Sequence, residues 1–185
     1  MPADLSPLIA ATAQWLTYAY PSSGGPLSCA LVEAQARQAV TVAAWLRYPT
    51  PVDIELVTMA GPGGSARLDW LTGADAAGPD GADRADSADE DAWRTWVDEV
   101  VASWAASLLS SPELAVAAVT ALAGSWHMDG VAVEFRRLTA PDESDRRAAA
   151  LLRHPDLLAP IAELHHLQLL DHLGPEPEPE AVTNC

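Results

Sequence analysis

From Gly73 to Asp89 the chain reads GADAAGPDGADRADSAD, with no aromatic and no branched aliphatic side chain. Such a stretch has nothing large to bury, so it cannot offset the entropy of ordering itself. It predicts a flexible acidic loop over 74–89 and divides the chain into 1–73 and 90–173. Any shared core must therefore be assembled from two separated pieces. With 185 residues in all, the length suits one sizeable core or two small lobes packed together. The expected layout is one domain over 1–173, followed by a solvated, disordered Pro/Glu tail over 174–185.

Hydrophobic periodicity assigns the elements. Leu5, Leu8, Ile9, Trp15 and Leu16 recur at helical spacing over 5–19, with Pro7 in the first turn. A second helix is predicted over 28–47, with Leu31, Ala34, Val42, Trp45 and Leu46 inward, and with Glu33, Arg37 and Gln38 outward. Val52, Ile54 and Leu56 then alternate with Asp53 and Glu55, which predicts a half-buried strand. The run Ala60-Gly61-Pro62-Gly63-Gly64 supplies a turn, and Arg67 to Trp70 the return strand. Beyond the acidic loop, a helix over 91–109 carries Trp93, Trp96, Val97, Val100, Trp104 and Leu108 on one stripe, with Arg94, Asp98 and Glu99 outward. Ser111-Pro112-Glu113 marks the start of another helix, to about Leu122. A second hairpin is expected around Asp129-Gly130, with Trp126 facing Val133 and His127 on the polar face beside Glu134. Helices over 142–153 and 161–173 complete the chain.

The resulting fold class is α+β: two helix–β-hairpin units, with the hairpins joined in a four-stranded antiparallel sheet covered by helices on one face. This element order resembles that of small acidic secretion-chaperone folds, which bind other proteins. The resemblance implies a protein-binding role.

The formal charge of −16 opposes non-specific binding to nucleic acid and to anionic membranes, and favours a basic or apolar-faced protein partner. There is no Lys. Five of the ten Arg fall at 136, 137, 146, 147 and 153, close to Glu134, Asp142, Glu143, Asp145 and Asp156. Ion pairing on a solvated face is the plain reading of that cluster; an anion site at Arg136 and Arg147 is the functional one. No run approaches the length of a membrane span, and no basic leader precedes the first apolar stretch, so a cytoplasmic protein is expected.

Motifs with specific chemistry fail one by one. Asp80, Asp83, Asp86 and Asp89 lack the alternate spacing, central Gly and terminal Glu of a calcium loop. Gly61-Pro62-Gly63-Gly64 lacks the Lys and hydroxyl of a phosphate loop. Glu163 and His166 stand at i,i+3, the pair used in di-iron bundles, but no second Glu-x-x-His exists. His165 and His172 lie too far apart along a helix to share a metal. The two cysteines define no disulfide framework or zinc spacing. No cofactor and no metal is therefore expected. Cys29, His127 and His166 remain as weak catalytic candidates, and Cys185 ends an exposed tail.

The last helix carries Ile161, Leu164, Leu167, Leu169, Leu170 and Leu173 nearly all round, which implies burial on more than one side or a homodimer contact. Trp93, Trp96, Trp104, Leu167 and Leu170 are the candidate partner-binding residues. Two functions are compatible with these observations. The first is a non-enzymatic interaction factor, such as a chaperone, immunity or accessory protein. The second is a small-molecule binder or enzyme with a pocket between sheet and helices.

Overall fold

The computed structural model describes residues 4–61, 97–129 and 134–174. Helices and turns account for all of its regular structure, and no strand occurs among the described residues. The expected α+β class and its four-stranded sheet are therefore overturned, and the resemblance based on that element order falls with them. The predicted return strand at Arg67–Trp70, the acidic loop 74–89, Trp93, Trp96 and the tail 175–185 lie outside the described residues.

Helix α1 spans Ser6–Ala19 and α2 spans Pro26–Arg47, each with a Pro in the first turn. The alternating segment after them is helix α3, Pro51–Ala60. Its start explains the correction. Thr50 accepts the Asp53 N–H while the Asp53 carboxylate accepts the Thr50 N–H, a reciprocal capping box, and Pro51 occupies the first helical position. Five alternating residues are too few to tell a strand from a helix when such a cap precedes them. As a helix the segment buries Ile54 and Ala60 and leaves Val52, Leu56 and Met59 exposed. It stops at Gly61, whose φ of 62° lies in the region that favours glycine.

Helix α4 spans Glu99–Ser110, and every residue from Val100 to Leu109 is buried. It begins on Asp98, which the stripe placed outward. Instead Asp98 is 1% exposed. Its Oδ1 accepts the Val101 N–H at 3.1 Å and its Oδ2 accepts the Tyr48 hydroxyl. A carboxylate can be buried here because helix N–H groups and a phenol replace its water. Helix α5, Pro112–Ala121, follows directly, capped by the Ser111 hydroxyl on the Leu114 N–H as its sequence predicted.

The described part of the second expected hairpin contains no strand. Its first arm forms two 3₁₀ turns, Leu122–Gly124 and Trp126–Met128. Residues 130–133, which include half of the Asp129-Gly130 turn, lie outside the described residues. Short helices α6, Arg136–Thr139, and α7, Glu143–Ala148, come next. The last predicted helix is two: α8, Pro155–Glu163, and α9, His166–Leu173.

α2 and α4 form the centre and run antiparallel, since Tyr48 meets Asp98 at one end while Arg153 bridges Gln35 and Leu109 at the other. α1 packs on α2, and α8 on the far side of α4. The core draws on both sides of the acidic stretch, from Leu16, Val40 and Ile54 to Leu108, Leu138 and Leu158. Small side chains on α4 (Ala102, Ser103, Ala105, Ala106, Ser107) let its neighbours approach closely while Trp104, Leu108 and Leu109 fill the larger spaces.

Candidate interaction surface

The C-terminal helical pair is built around a break. Pro160, inside α8, has no N–H to give the preceding turn. At Leu164 the backbone tightens, its N–H reaching Ile161 O at 3.3 Å. α4 satisfies the groups this frees: the Ser103 and Ser107 hydroxyls both donate to Ala162 O, at 3.2 and 3.0 Å, and Ser103 Oγ accepts the His165 N–H at 3.0 Å. The helix restarts where Leu169 N–H bonds His165 O. Two buried serines on α4 thus hold the junction in place.

This docking decides which leucines are covered. Leu158, Ala162 and Leu169 are buried, toward the core. On the other side Leu157, Leu164, Leu167 and Leu170 are 45%, 55%, 80% and 44% exposed. Apolar residues encircle this pair as expected, but only one side is packed. Near Leu157, the half-buried Tyr20 hydroxyl donates to Leu157 O at 3.1 Å, and burial pushes the phenol above its ordinary value. Asp156, Glu163 and Asp171 are exposed among these leucines, and none has an ion pair among the described residues. Trp104 is 2% exposed, its ring 5.5 Å from that of His172, so it supports α9 from beneath. His166 is half-buried at the first position of α9.

A second cluster joins α2 to α6 and α7. Gln38, expected to face outward, accepts the Leu138 N–H at 3.1 Å and donates to Glu134 O at 3.3 Å. The fully buried Gln35, which no motif singled out, donates to Asp145 O at 2.9 Å and accepts Arg153 Nε at 2.9 Å. Arg153 also donates from Nη1 to Leu109 O and from Nη2 to Arg137 O. Burial lowers this guanidinium from its ordinary value, and the nearby Asp145 carboxylate opposes that shift. Arg137 pairs with Asp145 at 2.5 Å, while Arg147 pairs with Glu143 at 2.7 Å on the surface. Arg136 lines an open depression of about 250 Å³ together with Gln38, Glu134, Arg137, Asp142 and Asp145. The two expected anion residues are thus apart in role, and three carboxylates share the depression with two guanidiniums. Gln38, Arg137, Asp142 and Asp145 in its lining hold α6 and α7 to each other and to α2.

Cys29 and His127 do not converge. His127 is 9% exposed, not on a polar face. Its ring stacks on Trp45 with centroids 5.3 Å apart, and Nε2 lies 2.7 Å from Tyr48 O. Cys29 is exposed in the first turn of α2, with Sγ 3.1 Å from Ser22 Oγ. Trp45 lies sixteen residues farther along that helix, so Cys29 and His127 stand about 24 Å apart along its axis. A shared nucleophile–base pair is excluded by that length. With no sheet among the described residues, a pocket between sheet and helices loses one wall. Among the described residues no three His, Cys, Asp or Glu side chains gather as a metal site would require, and no helix is long and apolar enough to cross a membrane.

No family model, no curated protein and no solved structure matches this chain.

Proposed function

We propose that this protein is a non-enzymatic interaction factor that docks another protein on the outer side of α8 and α9. One observation carries the reading: Leu157, Leu164, Leu167 and Leu170 stay in water on helices whose opposite side is fully packed. Scattered exposed leucines are ordinary on a protein surface, whereas a run of four on one helical pair is the pattern of a docking face. Burying each on a partner contributes about 1.5–3 kcal/mol at most, enough together to anchor a complex. The acid-rich surface keeps such a face soluble until it is occupied.

Site-specific photocrosslinking in the native host tests this. A crosslinking residue at Leu167 or Leu164 is expected to trap one discrete protein, and the same residue at the exposed Val116 of α5 is not. Leu170→Asp is expected to abolish the adduct formed at Leu167. An identical adduct pattern from Leu167 and Val116 overturns the proposal.

A further inference from the structure

The charge around this face goes further and identifies the chemistry of what it takes. We infer that the α8–α9 face receives an amphipathic helix whose apolar stripe is flanked by Lys or Arg. This rests on the docking reading above and adds the partner class to it.

The leucines set the shape of the ligand. Leu157 on α8 and Leu164 at its C-cap are seven residues apart, and Leu167 and Leu170 are three apart on α9. The exposed leucines thus recur on both sides of the Ser103-held junction, over a stretch of chain equal to about four helical turns. A strip of leucines along a helix axis is matched by the i, i+3, i+4, i+7 anchors of a second helix. An extended peptide offers no comparable row, and no strand edge exists here among the described residues to pair with one.

The acids set the sign. No Lys or Arg follows Arg153 in the sequence, and Arg153 itself points inward to Gln35, Leu109 and Arg137. The titratable groups on the exposed pair are Asp156, Glu163 and Asp171, with His165, His166 and His172. The three carboxylates lack cationic partners in this molecule among the described residues. Carboxylates at the rim of an apolar strip attract a basic-flanked helix and repel an acidic one, steering both encounter and register. The same argument selects against two other occupants. A second copy brings the same acids against these acids and a charge of −16 against −16. An anionic bilayer is repelled by the same field.

The experiment titrates the full chain with two fluorescent amphipathic peptides of about four helical turns and identical leucine spacing, one with Lys flanks and one with Glu flanks. The Lys peptide is expected to bind one to one and at least ~10-fold more tightly than the Glu peptide, with affinity falling as salt rises. Leu164→Asp with Leu167→Asp is expected to abolish binding. Combined Asp156→Asn, Glu163→Gln and Asp171→Asn is expected to weaken the Lys peptide ~10-fold, a loss consistent with three exposed pairs of modest strength. Val116→Asp serves as the surface control and is expected to change nothing.

Equal affinity for the two peptides overturns the inference. Lys-peptide binding that survives the leucine substitutions also overturns it, since attraction to the acidic chain as a whole then suffices. A concentration-dependent dimer that Leu167→Asp dissolves overturns it in favour of a second copy, and leucine-dependent binding to phosphatidylcholine vesicles in favour of a bilayer. If neither peptide binds while the Leu167 crosslink still traps a discrete protein, docking stands and the basic-helix assignment falls. If the crosslink fails as well, both fall.

Discussion

Helices α4 and α8–α9 are both apolar on nearly every side, yet one is wholly buried and the other half in water. α4 has neighbours all round: α2, α8, and parts of α1, α5 and α9. Its small residues make room for them, and charged groups reach it near its two ends, Asp98 at the N-terminal cap and Arg153 at Leu109 O. The C-terminal pair meets the rest of the molecule chiefly through α4, and on its other side Leu157, Leu164, Leu167 and Leu170 stay largely exposed, with the Tyr20 hydroxyl on Leu157 O beside them. An all-round apolar pattern thus states that two sides can be covered. It does not state that this chain covers both.

The sharpest test of that contrast substitutes one leucine in each region. Leu108→Ala on α4, where the side chain is fully buried, is expected to cost about 2–5 kcal/mol in urea unfolding. Leu167→Ala on α9, 80% exposed, is expected to stay within about 0.5 kcal/mol. If Leu167→Ala costs as much as Leu108→Ala, the outer face of α9 is covered within the molecule and the contrast collapses.

Next in size is the α4 cap. Asp98→Ala removes the acceptor for the Val101 N–H and leaves the buried Tyr48 hydroxyl without this acceptor, for an expected loss of about 1–3 kcal/mol by chemical denaturation. Tyr48→Phe should cost less, because the carboxylate keeps its helix N–H. Smaller again is the exposed cap on α3. Thr50→Ala is expected to lose about 1 kcal/mol together with some far-UV helical signal. An unchanged spectrum would count against the capping box as the start of α3.

The smallest effect is one of pH. Asp142 caps α7, and the Asp145 backbone N–H holds its carboxyl below the ordinary 3.8, helped by Ser144, Arg136 and Arg137 against a desolvation that raises it. A carboxyl lowered on folding stabilises the fold above its unfolded value and loses that contribution as pH falls through the folded one. The difference in thermal midpoint between the native chain and Asp142→Asn should therefore be present at pH 7 and shrink below about pH 4. A difference that grows on acidification would reverse the sign of the linkage. The contrast with Asp98 is instructive: both cap helices, but Asp142 is exposed on a peripheral turn and Asp98 is closed inside the core.

Much of the helical layout was legible. Pro in the first turn marked α1, and Pro with a capping hydroxyl before it marked α5, because such signals act over three or four residues and need no distant partner. Thr50-Pro51-Val52-Asp53 carried a cap of the same kind as Ser111-Pro112-Glu113, yet the alternation of Val52, Ile54 and Leu56 pointed to a strand. A short alternating run fits both periods, and the cap was the more specific signal. The Asp129-Gly130 pair likewise suggested a hairpin, while His127, two residues before it, stacks on Trp45 from a different helix. The candidate site was half legible. Leu167 and Leu170 stood out by pattern, whereas Trp104, on an equally apolar stripe, is buried beneath α9.

The sequence by itself determined where helices start and stop, because caps, prolines and glycine act on their immediate neighbours. It also determined that the last stretch would be apolar all round and acidic between its leucines. Only the tertiary structure decided which of those leucines meet Ser103, Ser107 and Trp104 and which meet water. That choice is made by α4, more than fifty residues away in the chain, and depends on how closely its small side chains let α8 and α9 approach.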